Sequence, residues 1–210
     1  NDSDGLDIFN GATHLEIQGN RIGVSRNSNV AIGNAGNGIW ISDGANNVSI
    51  GGVNSGEGNV VAFNRLNGVL VSDAGSSARI RGNSIYGNAG LTIKLGNGQA
   101  PNDVNDVDTG PNGLQNYPTL RLGTVAGETV ISGRLQSMQN AIFDIDLYSD
   151  DTSSRFETAP RTYWKTVSVT TNGEGLGIFS VPVFGVGSGR FIMATATNSL
   201  GETSEFTPTA

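Results

Sequence analysis

Three observations predict an all-β fold in which a stack of short coils is followed by a second β unit. Thirty-one glycines, no cysteine, 15% charged and 7% aromatic residues suit short strands joined by tight turns better than helices. A turn glycine followed by a short apolar strand recurs through the first half, in DGLDIF, NGIWIS, NGVLVS and AGLTIKL. This recurrence stops near residue 98, and longer alternating strands take over after residue 118.

Aligning Gly5, Gly38, Gly68 and Gly90 places three strand-like pieces in constant order within each repeat. The first pieces are LDIF, IWIS, VLVS and TIKL. The second are Leu15 to Gln18, Val48 to Gly51 and Ala78 to Arg81, in which Leu15 and Ile17, Val48 and Ile50, and Ala78 and Ile80 share one face. The third follow the pairs Gly19-Asn20, Gly58-Asn59 and Gly82-Asn83, and a later asparagine, Asn34, Asn64 or Asn88, leads into the next coil. Three strands per repeat with turns of variable length predict a parallel β-helix, whose coils pair about 4.8 Å apart. Ile8, Ile41, Val71 and Ile93 are expected to form one inward column, and the turn asparagines to bond from coil to coil. Parallel crossovers favour the right hand. The insertions Val24 to Ala31 and Val53 to Glu57 are expected to bulge outward.

The segment Gly96 to Pro118 is rich in Gly, Asn, Asp and Pro and reads as a linker or capping loop. Seven alternating strands follow: Thr119 to Val125, Thr129 to Leu135, Ala141 to Tyr148, Tyr163 to Thr170, Gly177 to Val183, Arg190 to Asn198 and Thr203 to Thr207. Their number and spacing predict an immunoglobulin-like or fibronectin-like sandwich. Asn172-Gly173 and Leu200-Gly201 fit its hairpins or corners. The expected division is coils over 1–98, loop over 99–118 and sandwich over 119–210.

The GI-x-I and GN-x-I elements resemble the parallel β-helix repeats of bacterial secreted and surface proteins in the pectin-lyase-like superfamily. DTGPNGLQNYPTL, followed by a domain ending ATATNSLGETSEF, is similar to the linker and terminal sandwich attached to such helices. The resemblance implies an extracellular or cell-surface bacterial protein. It leaves function open, because that superfamily holds polysaccharide lyases and hydrolases, adhesins and proteins without activity.

A net charge of −7 with only twelve scattered Lys and Arg argues against a nucleic-acid partner. No apolar run approaches the roughly 20 residues that span a bilayer. The opening NDSDGLDIF reads as the interior of a longer gene product.

Catalytic residues are not expected. A β-helical lyase needs carboxylates for calcium and a Lys or Arg base on one outward face, but the outward columns read Asp7, Trp40, Leu70, Thr92 and Phe9, Ser42, Ser72, Lys94. Asp7 and Lys94 stand three coils, about 14 Å, apart, too far for concerted acid and base work. Trp40 beside Leu70, with Arg79 and Arg81, forms a candidate surface for protein or polysaccharide. The alternatives are contact with the sandwich for the first pair and solvation for the second. Asp103, Asn105, Asp106 and Asp108 suit a calcium ion, although no bidentate Glu follows at EF-hand spacing, and the competing reading is an Asx-rich turn. No cofactor is required. His14 reads as a turn residue. Tyr163 and Trp164 are expected to divide between core and surface, and Asp144 and Asp146 to be the wet face of a strand.

The linker and sandwich can cover the coil end after Leu95. Leu6, Ile8, Leu15 and Ile17 on the first coil are expected to be an assembly end. It would be met by upstream coils, by a protein partner, or by the opposite end of a second copy, a heterologous contact that propagates when it does not close. The leading expectation is a non-enzymatic structural or adhesive module. The alternative is a carbohydrate-active or glycan-binding fragment.

Overall fold

The computed structural model describes residues 1–27, 30–98, 100–125, 128–150, 161–182 and 191–208. Its strands run in chain order as β1 Leu6–Ile8, β2 Glu16–Ile17, β3 Arg21–Ile22, β4 Ile39–Ile41, β5 Val48–Gly51, β6 Val60–Ala62, β7 Val69–Val71, β8 Ala78–Arg81, β9 Ser84–Tyr86 and β10 Ile93–Leu95. They form three parallel sheets, β1-β4-β7-β10, β2-β5-β8 and β3-β6-β9, so the chain visits each sheet in turn and pairs with itself one circuit later. β-branched residues at alternate positions make this work. Their side chains point inward and stack into one core of Ile8, Ile39, Ile41, Val48, Ile50, Val61, Val69, Val71, Ile80, Ile85, Ile93 and Leu95.

Side-chain amides tie the turns. Asn20 bonds to Asn59 and Asn59 to Asn83, while Asn34 bonds to Asn64 and Asn64 to Asn88, each donating both its backbone N–H and its Nδ2 to the next Oδ1. A third ladder runs Asp4, Asn37, Asn67 in the opposite sense, with each later residue donating to the one before. Its signal was the repeated Asp-Gly, Asn-Gly, Asn-Gly before the first strand of each coil.

The last coil departs from the expected register by two residues. Val69 pairs with Ile93 and Val71 with Leu95, so Thr92, not Gly90, takes the place of Gly38 and Gly68. The inward column is therefore Ile8, Ile41, Val71, Leu95, and the outward one Asp7, Trp40, Leu70, Lys94. A slip of two keeps every side chain on its face, so alternation could not detect it. The spacing of 24 shared by Asn59 to Asn83 and Asn64 to Asn88 does fix it. The insertion after Val24 returns through a bridge from Val24 to Ala31, and its base buries Val24 against Ala62 and Tyr86; residues 28 and 29 lie outside the described set.

Six longer strands follow: β11 Thr119–Val125, β12 Glu128–Gln136, β13 Ile142–Asp150, β14 Thr162–Thr170, β15 Leu176–Pro182 and β16 Phe191–Thr197. They make two antiparallel sheets, β11-β12-β15 and β14-β13-β16, over a shared core of Leu135, Phe143, Ile145, Leu147, Val169, Phe179, Val181, Ala194 and Ala196. The turn at Asn172-Gly173 carries the chain from β14 to β15, which belong to different sheets, and is a corner. Val183 and Arg190, expected strand ends, lie outside the described residues. Residues 203–207 are not a regular strand. They lie along β16 through one bridge and two backbone hydrogen bonds, with the hydroxyls of Ser204 and Thr207 accepting from Ala196 and Ala194. Side chains replace backbone there because the same segment also caps the coil stack.

Candidate functional site

The two ends of the coil stack are built differently. At the far end, Asn112 stands in a left-handed conformation (φ 49°), which asparagine tolerates better than most residues. Its amide mimics a peptide group: Nδ2 donates to the carbonyls of Ala78 (2.8 Å) and Thr203 (2.7 Å), and Oδ1 accepts from the Ala78 N–H (2.6 Å). The Thr203 hydroxyl accepts from Ile80 N–H at 3.0 Å, and Glu205 Oε1 from Leu95 N–H at 3.0 Å. Burial pushes the Glu205 carboxyl up, against the hydrogen bonds it accepts. Leu114 and Phe206 pack on the aliphatic core beneath.

Beside this cap, Arg81 crosses from β8 to β13. Its Nε and Nη2 reach the two oxygens of Asp146 (2.7 and 2.8 Å), and Nη1 reaches Asp144 at 2.6 Å. Burial opposes the charge on Arg81, but the hydrogen bonds and charges of Asp146 and Asp144 outweigh it and hold the guanidinium above its ordinary pKa. Thr166 donates to Asp146 at 2.6 Å. Tyr148, fully buried, accepts from the Gly82 N–H at 2.9 Å and packs edge-on against Phe206 and Tyr163; burial keeps its phenol protonated. Arg161 stacks over Tyr86 at 4.4 Å.

This corrects two expectations. Asp146 is not on the wet face of a strand, because β13 packs its apolar face on the second sheet and its polar face on the coils, while Asp144 beside it pairs with Arg81 and keeps 38% of its side chain exposed. Arg81 is neither solvated nor a ligand surface; only Arg79 of that pair is exposed. Trp40 and Leu70 lie side by side on the first sheet, whereas Arg79 and Arg81 belong to the second, so the four do not form one surface. The antiparallel half meets the coils at Arg81, Tyr86 and Leu95, on β8, β9 and β10. His14 sits in a left-handed turn (φ 57°) between Thr13 and Asn47. Tyr163 and Trp164 are both half-buried, Tyr163 against Tyr148 and Trp164 on the core shared by the antiparallel sheets.

At the leading end, Leu6, Ile8, Phe9, Ala12, Leu15 and Ile17 border a groove of about 270 Å³. Leu15 occupies the column of Val48 and Ala78, each 1% exposed, yet is itself 38% exposed. Phe9 is 58% exposed. Among the described residues, nothing pairs with the outer edge of β1, β2 or β3, and nothing donates to the Oδ1 of Asn20 or Asn34.

The acidic loop brings three of its four expected residues together. Oxygens of Asp103, Asp106 and Asp108 all lie within 4.8 Å of one another, about twice a calcium–oxygen bond of roughly 2.4 Å. Asn105 turns away to Gln136 at 3.4 Å. Asp106 accepts from Gln115 Nε2 (2.5 Å), Asn116 N–H (3.1 Å) and the Ser137 hydroxyl. Burial still pushes its carboxyl up to about 6, with repulsion from Asp103 and Asp108 adding to the rise. Asp108 is raised by burial and by Asp103, and its Oδ1 is buried without a hydrogen-bond partner. Three half-buried carboxylates with no ion pair to a cation among the described residues fit a hard divalent ion.

No protein-family model matches the chain, and no curated protein matches it either.

Proposed function

We propose that the chain is a non-enzymatic structural or adhesive module of an extracellular bacterial protein: a right-handed parallel β-helix closed at one end by an immunoglobulin-like sandwich, with an open leading edge that takes a further coil. The carrying observation is the contrast between the ends. One has its backbone groups matched by Asn112, Thr203 and Glu205. The other presents exposed aliphatic columns and two asparagine acceptors without donors among the described residues.

The polarity of those ladders selects the occupant. Asn20 and Asn34 offer oxygen, so the matching layer must offer backbone N–H and amide hydrogens, as a coil of the same kind does. A second copy is a poorer fit. Its far end is covered, which leaves head-to-tail growth without an acceptor, and two leading edges would set acceptor against acceptor.

Duplicating residues 38–67 ahead of Asn1 supplies such a coil. The duplicated protein is expected to melt several degrees higher and to slow hydrogen exchange at the Asp7 amide. A matched duplicate with leucine at the ladder asparagines should gain less. An unchanged melting temperature with an unprotected Asp7 amide would overturn the reading. So would a concentration-dependent dimer of the unextended protein, lost in Phe9→Lys/Leu15→Lys, which would replace it with self-association.

A second reading concerns the loop, where the unpartnered Asp108 oxygen favours a calcium ion held by Asp103, Asp106 and Asp108. Calcium added after chelation at pH 7 is expected to raise the melting temperature, and Asp108→Asn to remove most of that increment. Because Asp106 titrates near 6 when folded and lower when unfolded, its proton stabilises the calcium-free fold as pH falls from 7 toward 5. The calcium increment should shrink over the same window. No response to calcium at pH 7 disproves the site.

A further inference from the structure

The outward face of the β11-β12-β15 sheet carries an unbalanced charge. Pairing of Thr119 with Arg134 and Ile178, and of Arg121 with Ser132 and Ser180, sets two rungs on the same side, separated by the inward rung Leu120, Gly133, Phe179. Arg121 and Arg134 are thus diagonal neighbours on adjacent strands, within reach of each other's long side chains. Both are exposed, and among the described residues neither guanidinium has a carboxylate or hydrogen-bond partner. The nearest acidic residue on that face of β12 is Glu128, six positions and about 20 Å from Arg134.

Two unpaired guanidinium groups held together in a protein of net charge −7 repel one another with nothing among the described residues to offset it. An anion seated between them relieves that cost, and a guanidinium fork matches a carboxylate or sulfate with two parallel hydrogen bonds. They border a groove of about 520 Å³ that Ile178, 68% exposed, flanks with an apolar shelf. The hydroxyls of Ser132 and Ser180 flank the other rung.

We propose that this face binds an anionic polysaccharide, with Arg121 and Arg134 gripping its acidic groups and Ile178 lying under its C–H surface. The central strand β12 is paired on both sides, and Arg121, Arg134 and Ile178 lie across three strands on the face of the sheet rather than along the open edge of β11. That suits a sugar chain better than an extended peptide, which is recognised through main-chain bonds at a sheet edge. Two cations without an exposed aromatic are too few for nucleic acid. The face is remote from the leading edge and does not depend on what pairs there.

The test is calorimetric titration at low ionic strength, in calcium-free buffer, with polygalacturonate, dextran sulfate, neutral dextran and poly-L-glutamate. The protein is expected to bind at least one of the two anionic polysaccharides and not neutral dextran. Arg121→Ser/Arg134→Ser should weaken this at least tenfold with an unchanged melting temperature. Arg26→Ser/Arg65→Ser, which changes net charge equally, should retain it. Lysine at both positions should bind with intermediate affinity, since the charge remains and the fork is lost. Absence of binding to both polysaccharides, equal loss in the two serine variants, or tighter binding of poly-L-glutamate overturns the proposal, the last in favour of an acidic protein partner.

Discussion

Arg81→Met is expected to lower the free energy of unfolding by about 3–5 kcal/mol, the usual cost of removing one partner from a buried ion pair. The loss comes mainly from Asp146, whose side chain has no solvent exposure and would be left charged against Thr166 alone. Asp144, 38% exposed, can rehydrate, so Asp144→Asn should cost far less. Adding Asp146→Asn to Arg81→Met should recover part of the loss, because a neutral amide no longer needs a cation. Urea unfolding of the four proteins decides this. If Arg81→Met and Asp144→Asn cost the same small amount, Arg81 does not hold the two halves together.

Asn112→Ala should be the other severe change, at about 2–4 kcal/mol, since it orphans the Ala78 N–H and the Thr203 C=O at a buried position and leaves the Ala78 C=O only a long bond from the Thr203 N–H (3.4 Å). Asn112→Asp separates hydrogen bonding from packing. The carboxylate fills the same space but cannot donate, and it would face two carbonyl oxygens. Near-native stability of the aspartate variant at neutral pH would show that the amide is not closing the sheet. The Asn112-Gly113 pair adds a practical consequence: spontaneous deamidation there would produce the same loss.

The coil stack was legible because its physics is local and repeated. An aliphatic residue on every second position, a glycine at the turn and an asparagine at matching intervals each mark one coil, and the next coil repeats them. The two-residue slip at Thr92 shows the limit of that reading. Alternation records which face a side chain occupies and is blind to even-numbered shifts, whereas the asparagine spacing is not.

The site was less legible. Asp103, Asp106 and Asp108 could be picked out as a group because they are near in sequence, but the turning away of Asn105 depends on where Gln136 lies. Arg121 and Arg134 meet only through the β11-β12 register, which the spacing of apolar residues does not state. Trp40 and Arg79 are both outward residues of the coil stack, yet each sheet of the stack faces a different direction.

The amino-acid sequence determined the all-β class, the three-strand repeat and two of the asparagine ladders, since each follows from periodicity within one segment. What only the tertiary structure decided is the junction. Alternating Asp and Ile in β13 says that the two faces of the strand differ, and a solvated face and a face docked on Arg81 demand the same polar residues. Burial of a charge is set by its partner, and here that partner lies more than sixty residues away.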